Sequence, residues 1–201
     1  MVQMDAFSEQ DDADASAQSI KDRGGAGYII QDEYYRVFAA AYNTEEQAQS
    51  VCEQLIKQDE KDAKVYPVSS GSVVFKITAT REQIDTVSEA FNYFPEICGE
   101  LAEKTIDFDK GILSTSQYKT FAANIADKLE DLADSVNRII AGTSDNSILK
   151  GYSQLLDQAR EKLENISIKN TDSALAFSSE IKYNYIELAH MYIQYIHSLD
   201  A

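Results

Sequence analysis

Apolar and polar positions alternate with two different periods along this chain, and the change of period divides it. From Tyr34 to Tyr42 the residues are aromatic, β-branched or alanine, and beyond a polar break Ala48, Val51, Cys52, Leu55 and Ile56 recur at helical spacing. The pattern predicts a strand feeding a helix, with Asn43 and Glu46 placed as a reciprocal N-terminal cap. The unit partly repeats about forty residues on, where Phe75, Lys76, Ile77, Thr78 and Ala79 match Tyr35 to Ala39 in kind. Thr80 and Gln83 cap the second helix, whose stripe is Ile84, Val87, Phe91, Phe94, Cys98 and Leu101. Two strand–helix units in tandem predict an α+β fold of the split βαβ, RNP or ferredoxin-like, kind.

Shorter signals fill in the rest. Gly24, Gly25, Ala26 and Gly27 make a flexible turn before Tyr28 to Ile30, a short strand able to pair with the main one; without a following helix they form no phosphate loop. Ala63 to Val68 read as a strand near an edge, because Pro67 cannot donate to a ladder, and Ser72 to Ala79 alternate as a strand with one buried face. Pro95 predicts a kink in the second helix, and Thr105 to Asp109 are the one candidate for a fourth strand of the sandwich. From Ser114 the period is 3.6 throughout. Tyr118, Phe121, Ile125, Leu129, Leu132, Val136 and Ile139 share one seam, and two further stripes follow caps at Asp145 and Asp172. The expected organisation is an acidic disordered linker at 1–23, an α+β domain at 24–113 and an antiparallel three-helix bundle at 114–201.

Charge narrows the function. A net charge of −16 opposes binding to phosphate backbones and anionic lipid, so neither nucleic acid nor a membrane surface is an expected partner. No run of 18 apolar residues is present to span a bilayer. Cys52 and Cys98 are the two cysteines; they read either as buried thiols or as a disulfide between neighbouring helices, which needs an oxidising compartment. His190 and His197, near Glu187 and Asp200, lack a clustered third group. The serines lack a nucleophile turn and no metal or cofactor is expected, so the chain reads as a non-enzyme. Tyr183, Tyr185, Tyr192 and Tyr195 crowd the last helix, either as bundle packing or as a protein-binding face.

If Val37, Ala39, Ile77 and Ala79 face the helices, the period of two sends Arg36, Phe38, Lys76 and Thr78 to the other sheet face. There Phe38 is either covered by the C-terminal bundle or free to stack on a sugar. Tyr35, Val37, Ala39, Ala40, Ala41, Tyr42 and Ala48, with the Phe75 to Gln83 unit and the Gly24 to Ile30 leader, resemble the SPOR (sporulation-related repeat) domain, clostridial type, over about residues 24–110. The resemblance implies a βαββαβ sandwich whose open face binds peptidoglycan glycan strands stripped of stem peptides. It makes Arg36, Phe38, Lys76 and Thr78 the glycan-binding candidates. It also implies an extracytoplasmic protein of the cell envelope, membrane-anchored in its full length and acting in division or sporulation. The alternative is a protein-interaction scaffold working through the helical half, with an envelope protein as partner and the sandwich purely structural. Oligomeric state is not legible in the sequence.

Overall fold

Val2 and Met4 are buried and Gln3 between them is buried toward the opposite side, the period of two that a central strand requires. In the computed structural model, which describes residues 1–58, 63–74, 76–142, 146–171 and 173–199, the acidic leader is therefore not a disordered linker. It folds as β1 (Val2–Phe7) and α1 (Gln10–Asp22). The acidic composition concealed a narrow apolar stripe: Ala13, Ala17 and Ile20, spaced at i, i+4 and i+7, are the buried residues of α1. Asp11 and Asp12 in its first turn and Lys21 in its last complement the helix dipole.

The chain continues through β2 (Tyr28–Gln31), β3 (Tyr35–Ala40), α2 (Glu45–Lys57) and β4 (Lys64–Val65). All pairings are antiparallel and the four-stranded sheet has the order β2-β3-β1-β4. The α+β fold with a βαββαβ sandwich is thus present, but it begins at β1 and not at Gly24. Thr44, one residue after the expected Asn43, caps α2 by accepting from the Gln47 amide at 3.2 Å. Both helices cover one sheet face, where Val2, Met4, Ala17, Ile20, Val37, Ala48 and Cys52 form a continuous core. Gly27 makes the close approach of the leader to α1 possible: its φ is +56°, and a Cβ there would strike the Ala17 carbonyl oxygen.

The remaining helices are α3 (Arg81–Asp109), α4 (Thr115–Ala141), α5 (Ser147–Ile168) and α6 (Ala174–Ser198). The Thr80 and Gln83 cap forms in both directions, Gln83 N–H to Thr80 Oγ1 at 3.3 Å and Thr80 N–H to Gln83 Oε1 at 3.0 Å. The helix runs on through Pro95 to Asp109, so Thr105 to Asp109 are its last turn and not a strand. Leu101, Thr105 and Phe108 also satisfy helical spacing, and five residues of alternation cannot outweigh a long helix already under way. Asp145 and Asp172 lie outside the described residues; Asn146 caps α5 and Ser173 accepts from the Ala176 amide at the start of α6.

Contacts divide the chain into two units. One holds residues 1–68, 101–115 and 170–187; the other holds 69–100, 116–169 and 188–201. In the second, the helical segments of α3, α4, α5 and α6 meet around aromatic rings. Phe91 stacks on Tyr152 at 3.8 Å between centroids and Phe94 on Tyr192 at 5.1 Å, while the Tyr152 hydroxyl donates to the Ala90 carbonyl at 2.6 Å. Arg81 to Glu100 thus belong with the helical unit, which starts earlier than Ser114. Tyr192 and Tyr195 contribute rings to this core, which accounts for their crowding on the last helix.

The apparent repeat does not make a second half of the sandwich. Ser72 to Ala79, apart from Phe75 which lies outside the described residues, form no strand, and Val74 is 96 % exposed. The strand beside β3 at the centre of the sheet is β1. Cys52 and Cys98 are free thiols, so the disulfide is not formed. Its premise was that α3 is the sandwich's second helix, and that helix is α1; Cys52 and Cys98 fall in different units. Burial pushes the Cys98 thiol up to about 12 and raises that of Cys52 as well. Because the thiolate is the nucleophile, native Cys98 at pH 8 should react with iodoacetamide on the order of a thousandfold more slowly than a free cysteine. Two alkylations are expected after denaturation without reductant, and a mass corresponding to no alkylation would reveal a bridge.

Candidate functional site

The sheet face opposite α1 and α2 carries the functional candidates. Alternation places Gln3 of β1, Tyr28 and Ile30 of β2, and Arg36 and Phe38 of β3 on this side, with Tyr66 just beyond β4. Register brings them together: Phe38 is opposite both Gln3 and Tyr28, and Arg36 is opposite Ile30.

At one end the face presents a polar aromatic strip. The Arg36 guanidinium lies 5.6 Å from the Tyr34 ring and 5.3 Å from the Tyr66 ring, distances that give cation–π attraction on both sides. Its Nε donates to Asp32 Oδ2 at 2.6 Å and one Nη to Gln3 Oε1 at 3.4 Å. Asp32 is itself fixed, accepting from the Tyr34 amide at 2.9 Å. Tyr34 is 46 % exposed while the Arg36 side chain is 18 % exposed, so a ligand would meet a tyrosine ring beside a pre-aimed guanidinium. The strip suits a neutral polar ligand with flat apolar patches, since tyrosine offers contact area and arginine in-plane donors.

The hydrogen bond from Arg36, followed by that from the Tyr34 amide, holds the Asp32 carboxyl below the usual carboxylate range. A depressed carboxylate keeps its contribution above its unfolded pKa and loses it only as pH falls through the lowered value. The Arg36 Hε resonance should therefore stay constant from pH 8 to about 5 and move only below about 4, the ordinary carboxylate value. A midpoint above that value would mean the pair is not formed. Being solvent-exposed, the pair contributes at most about 1 kcal/mol to stability.

At its other end the same face is covered. Phe38 is 0 % exposed and packs with Met1, Ala26 and Ile186, and its ring meets Tyr66 edge-on at 5.4 Å. Tyr28 meets Tyr183 of α6 edge-on at 5.0 Å. Phe38, expected either to be covered or to stack on a sugar, is therefore a core residue. Burial raises the pKa of the Tyr28 hydroxyl, as does the nearby Glu187.

Lys76 and Thr78 belong to no strand of the sheet that carries Arg36 and Phe38. They lie in the second unit, lining a cavity of about 140 Å³ with Ile77, Val87, Ile139 and Leu149. Gln3, Asp32, Tyr34 and Tyr66 are the members of the strip that sequence reasoning missed. Gln3 had a signal, since it interrupts an apolar alternation at Val2 and Met4; Tyr66 follows Val65 with the same period. Among the described residues no three His, Cys, Asp or Glu side chains gather in a way that would hold a metal ion. No helix is long and apolar enough to cross a membrane among those residues.

Residues 1–66 match the family model described as SPOR domain. No curated protein and no solved structure matches the chain. The match coincides with β1 to β4 and ends at Tyr66, leaving α3 to α6 outside it. SPOR domains are non-catalytic peptidoglycan-binding domains of envelope proteins. The boundaries found for the strands and the family match agree, so residues 1–66, about a third of the chain, are similar to a SPOR domain.

Proposed function

We propose that this chain is a non-enzymatic component of the cell envelope that binds peptidoglycan glycan strands lacking stem peptides, through the strip formed by Arg36, Tyr34, Tyr66 and Gln3. The observation that supports this reading most is the Arg36 guanidinium poised between two tyrosine rings on the sheet face opposite the helices. Sugar rings expose C–H faces that pack on tyrosine, and guanidinium donors suit hydroxyl and acetamide oxygens. Glycan without peptides is nearly neutral, so the net charge of −16 does not oppose the encounter. On this reading the protein works outside the cytoplasm, held by an anchor beyond these 201 residues, with a role in division or sporulation.

Sedimentation with amidase-treated sacculi tests the reading. The unaltered chain should pellet, with little change between about 50 and 500 mM salt, because no bound phosphates release counterions. Arg36→Ala should reduce pelleting to background while changing stability by no more than about 1 kcal/mol. Lys76→Ala should pellet normally. Failure to pellet both by the unaltered chain and by a folded chain with Ile186→Asp would refute glycan binding. Complete burial of Phe38 under Ile186 favours a second reading in that event, a structural sandwich within an interaction scaffold.

A further inference from the structure

The first half of α6 lies on the very face that the glycan reading uses, and it is not part of the SPOR match. Ile186, 0 % exposed, seals Phe38, and Tyr183 meets Tyr28. A polar tie fixes the helix in place. Lys182 Nζ pairs with Asp109 Oδ2 at 2.8 Å and donates to the Gly24 carbonyl at 2.8 Å, and the Ser178 hydroxyl donates to Asp109 Oδ1 at 2.6 Å. The contacts all fall within one unit, and they link α6, the end of α3 and the glycine turn before β2.

The sandwich does not depend on this cover for its own core. Its apolar residues between the sheet and α1 and α2, from Val2 and Met4 to Ala48 and Cys52, form a separate cluster on the other face. The family match likewise ends at Tyr66, more than one hundred residues before Ser178. What α6 adds is occlusion: Phe38 is withdrawn and Tyr28 partly covered, while Tyr34 stays exposed beside the half-buried Arg36 and Tyr66.

Resting on the glycan reading, we infer that residues Ser178 to Ile186 of α6 are an autoinhibitory cap on the SPOR face. A glycan that engages the whole face competes with α6 for Phe38 and Tyr28. Apparent affinity is then the intrinsic affinity multiplied by the fraction of molecules with the cap withdrawn. Whatever draws α6 away strengthens wall binding, and bound glycan loosens α6 by the same factor.

The test compares the full chain with Ile186→Asp, which places a charge against Phe38, and with Lys182→Ala, which removes the lysine's part of the polar tie and leaves the apolar contacts intact. Each is assayed by pelleting with amidase-treated sacculi, with circular dichroism as the check on folding. Either folded variant should bind at least tenfold more tightly than the unaltered chain. In the unaltered chain, hydrogen exchange at residues 178–186 should accelerate when glycan is added. Should Ile186→Asp fail to fold, Lys182→Ala and the exchange measurement decide. If the unaltered chain pellets and the folded variants pellet no better, the cap is refuted while the glycan reading stands. Pelleting by the variants alone would be the strongest support for the cap. If neither the unaltered chain nor a folded variant pellets, the glycan reading is wrong and the cap falls with it.

Discussion

Phe38→Ala should lower the stability of the unit that holds the sheet by about 3–5 kcal/mol, the cost of emptying a fully buried phenylalanine site. The ring is 0 % exposed and packed against Tyr66 and Ile186, so its removal forfeits both transfer energy and the contacts of a filled cavity. Urea unfolding followed by circular dichroism should show an earlier first transition with an unchanged slope. Tyr34→Ala, at a position 46 % exposed on the same face, should move the transition by no more than about 0.5 kcal/mol. A loss below about 1 kcal/mol for Phe38→Ala would mean that α6 does not cover the sheet.

The second large effect belongs to Gly27. Its φ of +56° alone makes alanine unfavourable there by about 1–2 kcal/mol. The added Cβ would also meet the Ala17 carbonyl oxygen and the Lys21 side chain, and the first of these is helix backbone that cannot give way cheaply. Gly71 provides the control, with φ +67° and nothing within 4 Å of the place a Cβ would take. Gly71→Ala should cost only the conformational part, whereas Gly27→Ala should cost that and several kcal/mol more, on the order of an overpacked core. Equal losses in the two variants would show that α1 does not pack against the leader, and the account of residues 1–23 would fail.

The pattern of the chain carried the class of fold and the middle of the sandwich. β2, β3, α2 and β4 fall within the stretches that alternation and helical spacing marked, and the Thr80 and Gln83 cap forms as expected. The first strand and helix were hidden because α1 buries little more than alanine and one isoleucine beneath a carboxylate-rich surface, so composition argued for disorder where spacing argued for a stripe. The sandwich is displaced accordingly: its first strand and helix lie before Gly24, whereas the repeat pattern places a strand at Ser72 to Ala79 and a helix after it. The disulfide and half of the candidate site followed from the same displacement. Arg36 was legible because the period of two fixes its face once β3 is known. Its partners were not, since Gln3, Asp32 and Tyr66 meet it only through the register of β1 with β3, the turn before β3 and the chain's path after β4. Burial of Phe38 depends on a helix that follows more than one hundred residues later, and nothing in local alternation distinguishes a covered sheet face from an open one.

The most direct measurement is a chemical-shift map of the isotope-labelled chain titrated with soluble glycan strands free of stem peptides. The account predicts perturbations concentrated at Gln3, Asp32, Tyr34, Arg36 and Tyr66, extending to Tyr183 and Ile186 as the cap responds. Glu45, Glu46 and Glu53, on the outer surface of α2, should remain unmoved. Spectra unchanged at saturating glycan, or perturbations confined to the α1 and α2 side of the sheet, would contradict it.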